Sequence, residues 1–309
     1  MILTCGEALI DMVADETHSG APAFVPHCGG AVMNTAVALG RLGVPTGFFA
    51  GLSRDLFGAQ LRAHLDASHV SHTLCPFSDA PTTLAFVQLE NGQAKYAFFD
   101  ENTALRSLRP SDIPALPTNI DALFFGGISL AYGPCADTYE QMMQAAAQSH
   151  VTMLDPNIRP GFIRDEAAFR ARMARMIAQT DILKLSDEDL EWLEGEGDIA
   201  ELAQGLLAKG PSLVLITQGS KGATGYHANF SVHVPTVPVD LSNSDTIGAG
   251  DTFNAGVLAS LHGARLLTKS ALTALARDAG ETALAFGMQT ARITVARKGA
   301  NPPWAHELD

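Results

Sequence analysis

The 309-residue chain predicts an α/β protein: a central, mostly parallel sheet with helices on both faces. Two observations carry that prediction. Short apolar runs alternate with helix-period segments along most of the length, and no internal repeat, low-complexity stretch or long Pro/Gly/Ser linker divides the chain. Taken in order, apolar runs at 2–5, 47–50, 122–125, 151–154, 182–185 and 213–217 predict strands. Segments 32–42, 56–67, 138–149, 166–179 and 199–208 have helical spacing and lie between them. Residues 82–90, the turn Asn91-Gly92 and residues 95–99 break the rhythm and read as a β-hairpin, either an edge ornament or a lid that closes on a substrate. A single domain over 1–309 is the simplest organisation, with a lid built from about 72–105 and part of 12–28.

Composition excludes several classes. With 20 Lys and Arg against 33 Asp and Glu, the net charge of −13 opposes nonspecific contact with nucleic acid or anionic lipid. The N-terminus lacks a basic region before an apolar core, and no stretch approaches the roughly 18 apolar residues of a membrane span. A cytoplasmic protein with neither nucleic-acid nor membrane partner is expected. Cys5, Cys28, Cys75 and Cys135 are irregularly spaced, and the ten histidines form no HExxH pattern, so reduced thiols are expected rather than a transition-metal site.

The chemistry concentrates in DTIGAGDTFNAGVLASL, residues 245–261. Beyond Gly248-Ala249-Gly250, the positions Phe253, Val257, Leu258 and Leu261 recur at helical spacing, which puts Asp251 on or beside the first turn of a helix. Helix N-termini offer unpaired N–H groups, and glycines let phosphate oxygens approach the backbone. A carboxylate beside such an anion hole can act as a general base; it can also simply favour the helix dipole. Neither GxxxxGK[S/T] nor a GxGxxG after a strand is present, which argues against P-loop and dinucleotide-binding enzymes.

The segment DTIGAGDTFNAG resembles the C-terminal signature of the ribokinase-like (PfkB) carbohydrate kinases, and GGAVMNTAVALGRLGVPTGFFAGLSRDLFG, residues 29–58, is similar to their N-terminal one. GEALIDM, LDPNIRP, KLSDEDL, TQGSKG and ARKGANPPW also fit, so the resemblance covers essentially the whole chain. It implies a three-layer α/β/α fold with a small β lid. It also implies ATP and Mg2+ as cofactors, possible K+ dependence, and a homodimer formed through the lid. YAFFDENTALRSL and FFGGISL look most like the bacterial fructokinases of the family, implying D-fructose as substrate; 2-keto-3-deoxygluconate, ribose, a nucleoside or a catalytically silent sugar-binding protein are the alternatives.

The resemblance assigns roles residue by residue. Asp251 matches the catalytic base, Gly248, Ala249 and Gly250 the anion hole, and Arg159 an arginine near the transferred phosphoryl group. Asp11, Gly29, Gly30 and Asn34 match sugar contacts, with Phe98 and Glu101 as lid contacts. Lys184, Ser186, Thr217, Gly219, Gly222 and Asn301 match the nucleotide side. Where ribokinases carry Asn-x-x-Glu, this chain has Ser186-Asp187-Glu188-Asp189, leaving Asp189 or its neighbours as the carboxylate that would organise Mg2+ through water, or the three acids as a solvated helix start. Asp245, Ile247, Thr294, Arg297 and Gly299 match a K+ site of backbone carbonyls, and Pro303 replaces its side-chain donor.

Overall fold

The structure, a computed structural model, describes residues 1–90, 93–236 and 246–308. It opens with β1 (Ile2–Cys5), buried throughout, then β2 (Leu9–Glu16) and β3 (Pro22–Gly29). Helix α1 (Ala31–Arg41) leads to β4 (Thr46–Phe49), β5 (Leu52–Ser53), α2 (Leu56–Ala67), β6 (Val70–Ser71) and β7 (Phe77–Ser78). The antiparallel pair β8 (Leu84–Glu90) and β9 (Gln93–Phe99) follows. Three βα units come next: β10 (Ala122–Gly126) with α3 (Cys135–Ala146), β11 (Val151–Asp155) with α4 (Glu166–Ile177), and β12 (Ile182–Ser186) with α5 (Asp187–Glu194) and α6 (Ile199–Leu207). Then β13 (Leu213–Thr217) turns back through β14 (Ala223–His227) and β15 (Phe230–Val234), before α7 (Ala249–Gly263), α8 (Lys269–Thr273) and α9 (Arg277–Val295).

Among the described residues the main sheet has the order β15-β14-β13-β12-β11-β10-β1-β4-β6, parallel except where β14 and β15 turn back. Because side chains alternate along a strand, the same strands feed two cores. Ile2, Ala122, Phe124, Met153, Ile182 and Leu215 pack with α1, α2, α7 and α9 on one face. Leu3, Leu123, Phe125, Leu154, Leu183 and Val214 pack with α3, α4 and α6 on the other. Nearly continuous apolar strands are what a parallel sheet covered on both faces requires.

Helix α7 is held unusually close to α9. A Cβ on Gly256 would lie 2.7 Å from the Cα of Gly287, so the contact needs both glycines. That packing, together with Thr294 Oγ1 on Thr252 Oγ1 at 3.0 Å, fixes the helix that carries Asp251. A second sheet, β3-β2-β8-β9, stands apart from the first; the short pair β5 and β7 forms a third. The hairpin expected at 82–99 is therefore half of a four-stranded sheet completed by β2 and β3, while the expected turn Asn91-Gly92 lies outside the described residues. Among the described residues no helix is long and apolar enough to cross a membrane.

Candidate active site

The segments that follow the C-terminal ends of β1, β10 and β11 line one cavity with the N-terminus of α7, at the edge where open α/β sheets place ligands. The turn into α7 depends on Gly248, whose left-handed backbone (φ +75°) brings it against the Ala300 loop. Asp251 sits in the first turn, 6% exposed. Its Oδ2 accepts a hydrogen bond from Asn34 Nδ2 at 2.9 Å, and its carbonyl accepts from Thr35 Oγ1 at 3.2 Å, which ties α7 to α1.

Burial pushes the Asp251 carboxyl up to about 7, against the opposing donation from Asn34; the Asp155 carboxylate adds to the rise and the Lys184 ammonium counters it. A base poised near neutrality next to helix N–H groups suits proton abstraction during transfer of an anionic group. Desolvation of the partly buried Asp11 carboxyl pushes it up to about 6.

A cavity of about 300 Å3 joins most of these parts. It brings together Asp11, Gly30 and Asn34 from the first hundred residues, Phe98 from β9, Arg159 after β11, and Gly248, Gly250 and Asp251 at α7. Gly29 lies against Asp11, since a Cβ there would meet the carboxylate at 2.1 Å. Ala249 begins α7. Six residues without an expected role also line the cavity: Glu7, Leu9, Ala31, Ile128, Asn157 and Thr246.

Glu7 is the most informative of these. Only 1% exposed, it accepts from the backbone of Ala31 (3.1 Å) and of Ser129 (3.2 Å), and so joins the turn before α1 to the turn after β10. Burial raises its carboxyl, and the two backbone donors oppose that rise. Gly30, with φ +104°, is squeezed against it. The signal in sequence is slight: one carboxylate directly after an apolar strand and before another apolar run.

The structure does not bring every expected residue into this cavity. Glu101 points outward, its side chain 71% exposed and paired with Arg164. Lys184, expected on the nucleotide, is 3% exposed and donates to Asp155 Oδ2 at 2.9 Å, which also accepts from Asn254 Nδ2 at 2.7 Å. Burial opposes the charge on Lys184, but the carboxylates of Asp155, Asp189 and Asp251 outweigh it and raise its pKa. The ammonium lies 3.2 Å from where a Gly250 Cβ would be, beneath the anion hole rather than in it.

The Ser186 hydroxyl caps α5 by accepting from the Asp189 amide at 3.0 Å. Both Asp189 oxygens accept backbone N–H groups, from Ile158 at 2.9 Å and Ser186 at 3.3 Å, so that carboxylate is committed to the fold and does not fit a direct Mg2+ ligand. Thr217 stands beside Ser186 in the β12–β13 register; Gly219 opens onto free space, whereas Gly222 packs on the Val234 carbonyl. Asn301 Oδ1 accepts from Arg41 at 2.8 Å. Of the expected K+ positions, Asp245 lies outside the described residues, the Thr294 carbonyl accepts the Arg297 amide at 2.9 Å, and the Arg297 guanidinium pairs with Glu307. Ile247 lines the cavity, and Gly299 (φ +66°) adjoins the loop packed on Gly248.

Relatives share this architecture. The profile of the pfkB family carbohydrate kinases matches residues 1–307. A fructokinase of Rhizobium leguminosarum bv. trifolii is 50% identical over 279 residues, covering 90% of this chain and 85% of that protein. Fructokinase-1 of Oryza sativa subsp. japonica is 30% identical, with 100% and 96% covered. Among solved structures, fructokinase of Xylella fastidiosa with bound ATP superposes with a TM-score of 0.89 at 26% identity, covering 99% and 96%. A double mutant of Vibrio cholerae fructokinase in a form with bound fructose, ADP and potassium ion gives 0.84 at 25%, covering 97% and 93%. The family model matches nearly the whole chain and a relative is 50% identical over most of it, so this chain belongs to the pfkB family of carbohydrate kinases.

Proposed function

We propose that the chain transfers the γ-phosphoryl group of ATP to a hydroxyl of D-fructose, with Asp251 as the base. The observation that carries this is the meeting in one cavity of Asp251, Asn34 and Asp11 with the N-terminus of α7. Asp251 takes the hydroxyl proton, the sugar oxygen forms its bond to phosphorus, and the bond to the departing ADP oxygen breaks. The amides at Gly248 and Gly250, with Arg159, face the charge that develops, whereas the Ala249 amide donates to the Thr246 carbonyl at 3.2 Å and closes the turn. Asp11, Gly29, Gly30 and Asn34 hold sugar hydroxyls, and the β3-β2-β8-β9 sheet acts as the lid, with Phe98 as its contact.

Fructose is favoured over an acid sugar by charge. Among the described lining residues, Glu7, Asp11 and Asp251 are carboxylates and Arg159 is the cation, a balance that suits a neutral polyol. The fructokinase names of the relatives agree. ATP supplies the electrophilic phosphorus, and Mg2+ would neutralise its phosphate charge, with Asp189 reached through water and not as a direct ligand. Thr217, Gly219, Gly222 and Asn301 form the nucleotide side. Carbonyls around Ile247 and Gly299 hold a monovalent cation, tested by comparing rates in potassium and in tetramethylammonium. A homodimer through the lid is part of the same proposal, supported by Phe24 and Phe99, 40% and 60% exposed on its edge strands; light scattering tests it. The deciding assay is ADP release with Mg-ATP across fructose, glucose, mannose, ribose, 2-keto-3-deoxygluconate and adenosine. A signal for fructose that Asp251→Ala abolishes supports the proposal; selectivity for another acceptor rejects fructose.

A further inference from the structure

Phe98, Ile128 and Arg159 reach the cavity from three segments remote in sequence. Just behind them, one run of contacts joins all three. The Phe98 ring meets Phe162 edge-on with centroids 4.8 Å apart, and Phe162 stacks on Tyr132 at 5.0 Å and 27°. The Arg106 guanidinium lies over the Tyr132 ring, 3.5 Å from its centroid. Asp100, 5% exposed, accepts from both the Tyr132 hydroxyl and Arg106 Nη1, each at 2.7 Å. Since Asp100 follows β9 directly, the run begins and ends beside Phe98.

Each link is short along the chain. Phe162 closes the turn that starts at Arg159, its amide donating to the Arg159 carbonyl at 2.8 Å. Tyr132 lies four residues beyond Ile128, past a turn in which the Ala131 amide bonds the Ile128 carbonyl at 3.0 Å. Stacked and edge-on rings have angular preferences that plain apolar contact lacks, and an arginine over a ring adds an electrostatic constraint.

We propose that Tyr132 and Phe162 are positioning residues that couple Phe98 to the Arg159 loop, so that sugar packed on Phe98 and the phosphate-facing guanidinium are placed together. The inference rests on the sugar-site assignment above. It assigns neither ring a contact with substrate. It predicts that loosening the stack weakens sugar binding and uncouples ATP hydrolysis from sugar phosphorylation.

The test is a double-mutant cycle on Phe98 and Phe162, each replaced by leucine, with sugar KM, kcat and sugar-independent ATP hydrolysis measured for all four proteins. Phe162→Leu is expected to raise the sugar KM about 3- to 10-fold, the range of one aromatic pair, and to raise the ratio of hydrolysis to transfer. Phe162→Tyr, which keeps the ring, should restore both. In the double variant the KM should stay within about twofold of the worse single variant, because both changes break one link. Multiplying single effects, or an unchanged hydrolysis ratio, overturns the coupling. If Phe162→Leu does not fold, Tyr132→Phe removes only the hydroxyl bond to Asp100; a smaller rise of the same two quantities supports the coupling, and wild-type values overturn it. A wild-type protein inert toward every sugar would instead refute the sugar-site assignment.

Discussion

Replacing Asn34 by alanine should move the pH dependence of the reaction in a calculable direction. Burial pushes the Asp251 carboxyl up to about 7, and the 2.9 Å hydrogen bond from Asn34 is the nearest group opposing that rise. A hydrogen bond to a charged group contributes roughly 1.5–3 kcal/mol, and one pKa unit corresponds to about 1.36 kcal/mol. Water entering the vacated space recovers part of this, so a net rise of about one unit is expected. A base works when deprotonated, so rate falls as pH drops through its pKa. The acid limb of kcat/KM for fructose should therefore move from about 7 to about 8. At pH 7 the ionised fraction drops from about a half to about a tenth, a fivefold loss that recovers by about pH 9. The assay is initial-rate kcat/KM at saturating Mg-ATP between about pH 5.5 and 9.5. Loss of a sugar contact by Asn34 lowers the curve without moving its limb. A limb that stays at the wild-type position would refute the assignment of Asn34 as the group that tunes the base.

Three further outcomes follow from neighbouring geometry. Asp251→Asn should abolish turnover yet raise the midpoint of thermal unfolding at pH 8. The folded carboxyl titrates near 7 against 3.8 for the unfolded group, so the fold loses stability as pH rises through that interval, and the amide escapes the loss; equal midpoints at pH 8 would contradict this. Lys184→Met leaves the Asp155 carboxylate buried without its cation and should destabilise by about 3–5 kcal/mol in urea titrations, with Asp155→Asn added in the same chain restoring part of it. Gly127→Ala places a Cβ 1.8 Å from Glu7 Oε1 at a φ of +69° and should impair both stability and sugar KM, whereas Gly161→Ala, with nothing within 4 Å, should leave unfolding within about 0.5 kcal/mol of wild type.

The fold and the place of Asp251 on the first turn of α7 were legible because their signals are local. Apolar runs at the right intervals mark strands, and glycines followed by a helical repeat mark α7 and Asp251 wherever they occur. Helix α9 was not marked, because Gly280 and Gly287 lower its propensity, and the close approach to α7 that requires Gly287 lies thirty residues away. Lys184 lies outside the cavity for a related reason: a lysine at a strand end reads as available, and only the third dimension sets Asp155 beside it. Just after β9, Asp100 and Glu101 are chemically alike in sequence. Backbone direction after β9 turns Asp100 inward, where Arg106 and Tyr132 meet it, and leaves Glu101 in solvent.

The place of β1 in the main sheet has a consequence for how the protein is made. This strand leaves the ribosome before every other strand described, yet it ends up between β4 and β10. Its pairing with β4 becomes possible once β4 has emerged, but residues 122–126 must be synthesised before its other edge is covered. For the interval between, the nascent chain carries an apolar strand with an open row of backbone donors and acceptors, a template for pairing with any extended chain nearby. Slower elongation between codons 50 and 122 should therefore increase capture by chaperones without changing the finished enzyme.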